Sequence, residues 1–327
     1  MKTENFVAGE GLRLLVVING HSRAGAARAE AALTELRSAG FDCQVLSAGS
    51  RDEVGPWIAR HAPGAAGVVA VGGDGTANAA APGAVAAGLP FGLIPAGTAN
   101  DLARTLGIPV EPKAAARVIA QGGLRAIDLG EVNGRLYFNV ASLGLSVDLA
   151  RRLDRETKRK FGRFGYWIAC ARVLFGARPF RAVIAADGEI MRVKSLQIAV
   201  GNGRFYGGGL AVEHSAQIDD GCLDLYSLEF AHPWKLLAIA KDFLVGRHGL
   251  WREVRVRRAQ KVEIRTRRRR AINADGEIIA RTPATFLIRR EALKVFTPVD
   301  AEEAASHAGR SRRERQFDHA NEWSGVR

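Results

Sequence analysis

The sequence predicts an α/β fold for its N-terminal part, a parallel sheet with helices on both faces, and a β-rich fold with antiparallel strands for the remainder. Three observations carry this expectation. Compact apolar runs of strand length alternate with Ala-rich stretches at helical spacing from Leu12 to Leu106. Glycine-rich turns follow two of those runs. From Asp128 onward, short β-compatible runs are separated by Gly, Asn and Asp. A chain of 327 residues is long enough for two domains, each with its own core. We expect them over 11–127 and 128–299, with the last strand free to return to the first domain and a charged, disordered tail over 300–327.

Taken in order, Leu12–Ile18 reads as a strand, Asn19–Gly25 as a turn, and the Ala/Glu/Leu pattern through Arg37 as a helix. A strand near Asp42–Ser47 and a helix near Asp52–His61 repeat the unit. The run Val68-Val69-Ala70-Val71 then enters Gly72-Gly73-Asp74-Gly75-Thr76-Ala77-Asn78, with alanines at helix-forming positions beyond it. A further strand, Phe91–Ile94, leads to a second turn, Pro95–Asp101, and a helix through Leu106. In the second region, strands are expected at Leu136–Ala141, Arg181–Ala185, Ser195–Val200, Leu223–Leu228, Lys261–Arg265 and Ala284–Arg290, with helices at Leu153–Phe175 and Trp234–Val245.

Lys and Arg number 47 against 34 Asp and Glu, a formal charge of +13, which draws the surface toward phosphates, anionic headgroups or nucleic acid. Charge alone does not choose among them, but no nucleic-acid module is recognisable, so no nucleic acid is expected as partner. The three cysteines, Cys43, Cys170 and Cys222, form neither a disulfide framework nor a zinc spacing, and a cytoplasmic location fits. No apolar run reaches the length of a membrane-spanning helix, so any membrane contact is peripheral. The basic stretch Arg151–Lys160 before Phe161, Phe164, Tyr166 and Trp167 suits an anionic membrane surface, and equally suits a core helix with a solvated end.

The Gly72–Thr76 turn reads as a phosphate-binding turn. Its glycines allow the backbone to approach a ligand, and its N–H groups open a helix. Asp74 inside such a turn repels phosphate unless a metal or a hydrogen-bond network compensates, so it points to Mg²⁺ chemistry or to a structural role. The second turn, with Thr98, Asn100 and Asp101, is ordinary helix-cap chemistry alone and gains weight beside the first, since both lie beyond the carboxyl ends of neighbouring strands. Neither a Walker-type P-loop nor a dinucleotide fingerprint is present. Later, Asp219-Asp220-Gly221 and Asp275-Gly276-Glu277 offer carboxylates for a hydrated metal or for proton acceptance, although Asp-Gly is also a hairpin signal; Asp187-Gly188 reads as a hairpin only.

Together these motifs, with Gly97–Arg104 and Ile127-Asp128-Leu129-Gly130, resemble the bacterial diacylglycerol-kinase-like lipid kinase family, itself similar to sphingosine and ceramide kinases, over Leu12–Pro298. The resemblance implies a nucleotide-binding α/β domain and a sandwich-like second domain, with ATP and lipid meeting in the cleft between them. It implies ATP contacts from Gly72, Gly73, Asp74, Gly75, Thr76, Asn78 and Thr98, from Ser47 after the second strand, and from Asn19 and Ser22 in the first loop. There the chain has Asn19-Gly20-His21-Ser22-Arg23 where the family usually shows Asn-Pro-x-Ser-Gly. It implies catalysis by Asp275 and Glu277, with Glu277 accepting the proton, and Mg²⁺ at Asp220 with backbone oxygens of Gln217 and Cys222. The implied activity is phosphoryl transfer from ATP to a hydroxyl of a membrane lipid such as diacylglycerol, with oligomerisation left open. A soluble-substrate kinase stays open, because NAD kinases share a similar glycine turn, as does a non-catalytic nucleotide-binding regulator.

Overall fold

The computed structural model describes residues 3–6, 11–19, 23–152, 177–202, 205–206, 210–211, 218–229 and 254–298. The helices expected at Leu153–Phe175 and Trp234–Val245, and the tail beyond 299, lie outside them. The N-terminal part runs β1 (Thr3–Asn5), β2 (Arg13–Asn19), α1 (Arg23–Ser38), β3 (Asp42–Ala48), α2 (Val54–His61), β4 (Gly67–Gly72), α3 (Asp74–Ala87), β5 (Phe91–Pro95), α4 (Asp101–Thr105) and α5 (Pro112–Gln121). Strands β2, β3, β4 and β5 pair in parallel in the order β5-β4-β2-β3. All of β4 and β5 is buried, as are Leu14–Val17 of β2. Continuous apolar runs are what strands covered on both faces require.

The sequence expectation holds for these elements to within a few residues. It missed α5, whose start is fixed by Glu111: that carboxylate accepts the backbone N–H groups of Lys113 (3.0 Å) and Ala114, and Pro112 stands at the first turn. Gly122, at φ +76°, ends the helix.

Then follow β6 (Gly123–Val132), β7 (Arg135–Tyr137), β8 (Val140–Gly144), α6 (Leu145–Arg152), β9 (Phe180–Ala186), β10 (Glu189–Ser195), β11 (Gln197–Gly201), β12 (Phe205–Tyr206), β13 (Leu210–Ala211), β14 (Leu223–Leu228), β15 (Val254–Ala259), β16 (Lys261–Thr266), β17 (Ala271–Ala274), β18 (Glu277–Arg281) and β19 (Ala284–Phe296). The 13-residue β19 pairs with β16 at its start, with β6 along its length, and in parallel with β5 at Val295↔Phe91. The sheet β10-β9-β16-β19 is thereby continuous with β5-β4-β2-β3. A second sheet, β15-β14-β11-β8-β17-β18, is antiparallel in every described pairing. Ile184, Val262, Ile264 and Phe286 of the first sheet share a buried cluster with Leu143, Ile198, Val200, Leu225 and Ile272 of the second, which makes this half a two-sheet sandwich. The Asp187-Gly188 turn joins β9 to β10 as a hairpin, as its composition predicts.

Candidate active site

Two glycine turns meet at the carboxyl ends of β4 and β5. Ala96 donates its N–H to the Gly72 carbonyl at 2.8 Å, continuing the ladder past the strands. The turns touch so closely that a Cβ on Gly97 would lie 2.5 Å from the Gly73 Cα, and one on Gly72 would lie 2.2 Å from Thr76 Oγ1. Glycine is demanded at both places by packing. The second turn is closed by Asn100, at φ 50°, whose amide accepts from the Gly97 N–H at 3.0 Å and donates to the Gly97 carbonyl at 2.9 Å.

Asp74 opens α3 directly after Gly73, the N-cap residue, which provides no side-chain cap. Its Oδ1 accepts the N–H of Leu102 in the first turn of α4 at 3.1 Å. The hydrogen-bond network needed by a carboxylate in this turn is therefore present, and it ties the two turns together. Thr76 and Ala77 return their N–H groups to the Gly73 carbonyl at 2.9 and 3.2 Å, so the start of the helix is regular.

The third wall comes from the other sheet. The β17–β18 turn has Asp275 at φ 47° and Gly276 at φ 93°, both left-handed as a tight two-residue hairpin requires. The turn is a hairpin, and it carries Glu277 to the cleft. Asp275 points inward: Oδ2 accepts the N–H of Phe138 at 2.7 Å, and Oδ1 accepts those of Asn139 (3.1 Å) and Val140 (3.0 Å). Burial outweighs those donors and, with the negative charge of Asp74 nearby, raises the Asp275 carboxyl from 3.8 to about 6. Glu277, two residues on, faces the glycine turn, and a Cβ on Gly75 would lie 3.5 Å from its Oε1. Its other oxygen pairs with Arg51, on the loop after β3. Nothing in the sequence pattern singled out Arg51, because the pairing joins residues far apart in the chain.

These walls enclose a cleft of about 550 Å³ lined by Asn19, Gly72, Gly73, Gly75, Thr76, Gly97, Thr98, Arg51 and Glu277 among others. Of the sequence-derived candidates, Asn19, Gly72, Gly73, Gly75, Thr76, Thr98 and Glu277 are brought together here. Asp74 and Asp275 stand behind the wall as anchors. Ser47 is exposed on β3, where Ala48, Gly49 and Ser50 line the cleft instead, and Asn78 lines a separate small space with Leu129 and Tyr137. Ser22 and Gln217 lie outside the described residues.

The Asp219–Asp224 segment is built separately. Asp219 pairs with Arg125 at 2.6 Å; Asp220 pairs with Arg258 and accepts the Cys222 N–H at 3.0 Å. Buried Asp128 accepts the N–H groups of Gly221 (2.6 Å) and Glu291 (2.7 Å), fixing the segment against β6 and β19. Among the described residues no three His, Cys, Asp or Glu side chains are grouped to hold a metal ion.

Comparison with known proteins agrees along the chain. Residues 13–132 match the diacylglycerol kinase catalytic domain, and 139–297 match the YegS C-terminal NAD kinase beta sandwich-like domain. A diacylglycerol kinase of Mycobacterium tuberculosis is 33% identical over 291 residues, covering 86% of this chain and 93% of its own. The Pseudomonas fluorescens protein named "Probable lipid kinase YegS-like" is 33% identical over 280 residues, covering 83% of this chain and 91% of its own. A solved diacylglycerol kinase from Bacillus anthracis str. Sterne shares the fold, with a TM-score of 0.69 at 21% identity over 88% of this chain and 97% of that one. A kinase catalytic domain joined to a sandwich-like domain, matched over nearly the full length of such relatives, is decisive: the chain belongs to the diacylglycerol kinase family of lipid kinases.

Proposed function

We propose that this kinase transfers the γ-phosphoryl group of ATP to a hydroxyl of a membrane lipid of the diacylglycerol class. The observation that carries the reading is the placement of Glu277 from the second sheet against the glycine turn at the start of α3, across one cleft. Residues 11–127 hold ATP in this reading, and 128–299 present the lipid. The residues fit a triphosphate. Gly72 and Gly97, where packing leaves no room for a side chain, let the two turns meet at the start of α3, whose N-terminus borders the cleft, and Arg51 adds a cation to it.

Glu277 accepts the proton of the lipid hydroxyl as the oxygen attacks phosphorus, while the N–H groups of the turn and Arg51 hold the charge that builds on the phosphoryl oxygens. Asp275 positions Glu277 by clamping the hairpin to residues 138–140. Thr98 and Asn19 border the cleft where the nucleotide enters.

The oxygen donors that the family resemblance assigns there, the Asp220 carboxylate and backbone oxygens, would suit a Mg²⁺ that keeps much of its water. Asp220 would hold the ion and would have to give up its pairing with Arg258 to do so; the ion would supply positive charge.

The lipid meets the enzyme at a bilayer, and the location we propose is the cytoplasmic face of a membrane. No described helix is long and apolar enough to cross one. The test is γ-labelled ATP with Mg²⁺ in mixed micelles that each carry one hydroxylated lipid. Label in the organic phase with diacylglycerol supports the reading. Label that stays in a water-soluble product, or no transfer to any lipid, overturns it.

A further inference from the structure

The outer face of the β9–β10–β16 sheet, opposite the sandwich core, is covered by no described residue and is strongly basic. Side chains alternate along each strand, so the register Arg181↔Lys194, Val183↔Arg192 and Val183↔Arg265 places these five on one face, next to the Ala185↔Ile190 pair. Their inward neighbours Ala182, Ile184, Met191, Val193 and Ile264 are buried. With Arg267, the cations line a shallow depression of about 570 Å³ whose wall holds no carboxylate among the described residues. Of these cations only Arg265 has a carboxylate partner among the described residues, Glu263 at 3.9 Å, and Glu263 is itself held by Lys261 at 2.7 Å.

The same face exposes Ile190 at 67% and Val183 at 38%, two of the few large apolar side chains so exposed. Burying cations there without anions from a partner is costly, whereas phosphate-bearing headgroups neutralise them and admit a protruding isoleucine. Nucleic acid or free phosphate would satisfy the cations and leave Ile190 without a partner.

We propose that this face is a docking surface for an anionic lipid bilayer, with Arg181, Arg192, Lys194, Arg265 and Arg267 against headgroup phosphates and Ile190 and Val183 entering between them. It lies apart from the ATP cleft, with which it shares no lining residue. The choice of a bilayer rests on the lipid-kinase reading. Docking is measured as vesicle binding without turnover, so a failure of docking and a failure of that reading are told apart.

The experiment is co-sedimentation of the full chain with vesicles of phosphatidylcholine alone or mixed with phosphatidylglycerol. Wild type binds the mixed vesicles only. Each cation removed weakens binding about fivefold, so Arg181→Ala/Arg192→Ala/Lys194→Ala lowers it roughly a hundredfold. The same charge removed from exposed positions elsewhere, Arg28→Ala/Arg60→Ala/Lys113→Ala, changes it less than about threefold once salt screens distant charges. Circular dichroism checks the fold of each triple, and single Arg192→Ala, about fivefold weaker, carries the test where a triple misfolds. Equal losses in both triples would show that only net charge acts. No binding by wild type, displacement from vesicles by inorganic phosphate or duplex DNA, or a dimer that the face triple converts to monomer, each overturns the proposal.

Discussion

Replacing Asp275 by Asn keeps the shape of the side chain and removes its titration, which makes the clamp under the proposed base measurable. The carboxyl is raised from 3.8 to about 6, mainly by burial. Between those values the folded chain holds a proton that the unfolded chain has released. Stability therefore falls as pH rises through that window and is level on either side of it. At about 1.36 kcal/mol per pH unit the loss is about 3 kcal/mol for this one group. The variant has no such slope. It does turn an NH₂ group toward one of the three backbone donors, at a cost of about 1–3 kcal/mol that does not vary with pH. Urea unfolding of both proteins at pH 4 and pH 7 reads the difference directly, because titrating groups that do not interact with Asp275 cancel between them. The stability gap between wild type and variant should be about 2.4 kcal/mol larger at pH 4 than at pH 7, because at pH 4 the unfolded carboxyl has already released more than half of its proton. A gap that is constant across pH refutes the claim that the Asp275 carboxylate is desolvated in the clamp.

Three further outcomes follow from the same geometry. Gly97→Ala forces a Cβ to 2.5 Å from the Gly73 Cα, so it should cost about 1–3 kcal/mol in a thermal melt and weaken ATP binding by parting the two turns. Arg51→Ala removes a half-exposed ion pair and should change stability by less than about 1 kcal/mol, yet raise the KM for ATP on the order of tenfold through loss of a phosphate-facing cation. Asp220→Asn should raise the Mg²⁺ concentration for half-maximal turnover while leaving nucleotide binding without metal unchanged; an unaltered Mg²⁺ titration would place the ion elsewhere.

What the sequence revealed was what is encoded locally. Continuous apolar runs marked β2, β4 and β5 because strands buried on both faces need them, and glycines marked the two turns because their backbones must touch. The Asp275-Gly276 hairpin was legible as a turn, and it is one. Helix α5 was missed although its signals, Glu111, Pro112 and Gly122, stand in the sequence at ordinary cap spacings. Other features have no local signal. The three pairings of β19, the partnership of Arg51 with Glu277 and the hold of Asp128 on Gly221 and Glu291 each join distant segments, and only the folded topology brings them together. Ser47 and Asn78 were placed by family likeness. Strand β3 leaves Ser47 exposed and outside the cleft lining, and Asn78 lines a separate small space beside Leu129 and Tyr137.

The central claim is that Glu277 takes the proton from a lipid hydroxyl at this cleft. It is tested most directly by single-turnover transfer from γ-labelled ATP to diacylglycerol in micelles, comparing wild type with Glu277→Gln at saturating ATP and with nucleotide affinity measured in parallel. The account predicts a fall of about 10²- to 10⁴-fold in the transfer rate with ATP binding retained. Equal transfer rates in the two proteins would contradict it.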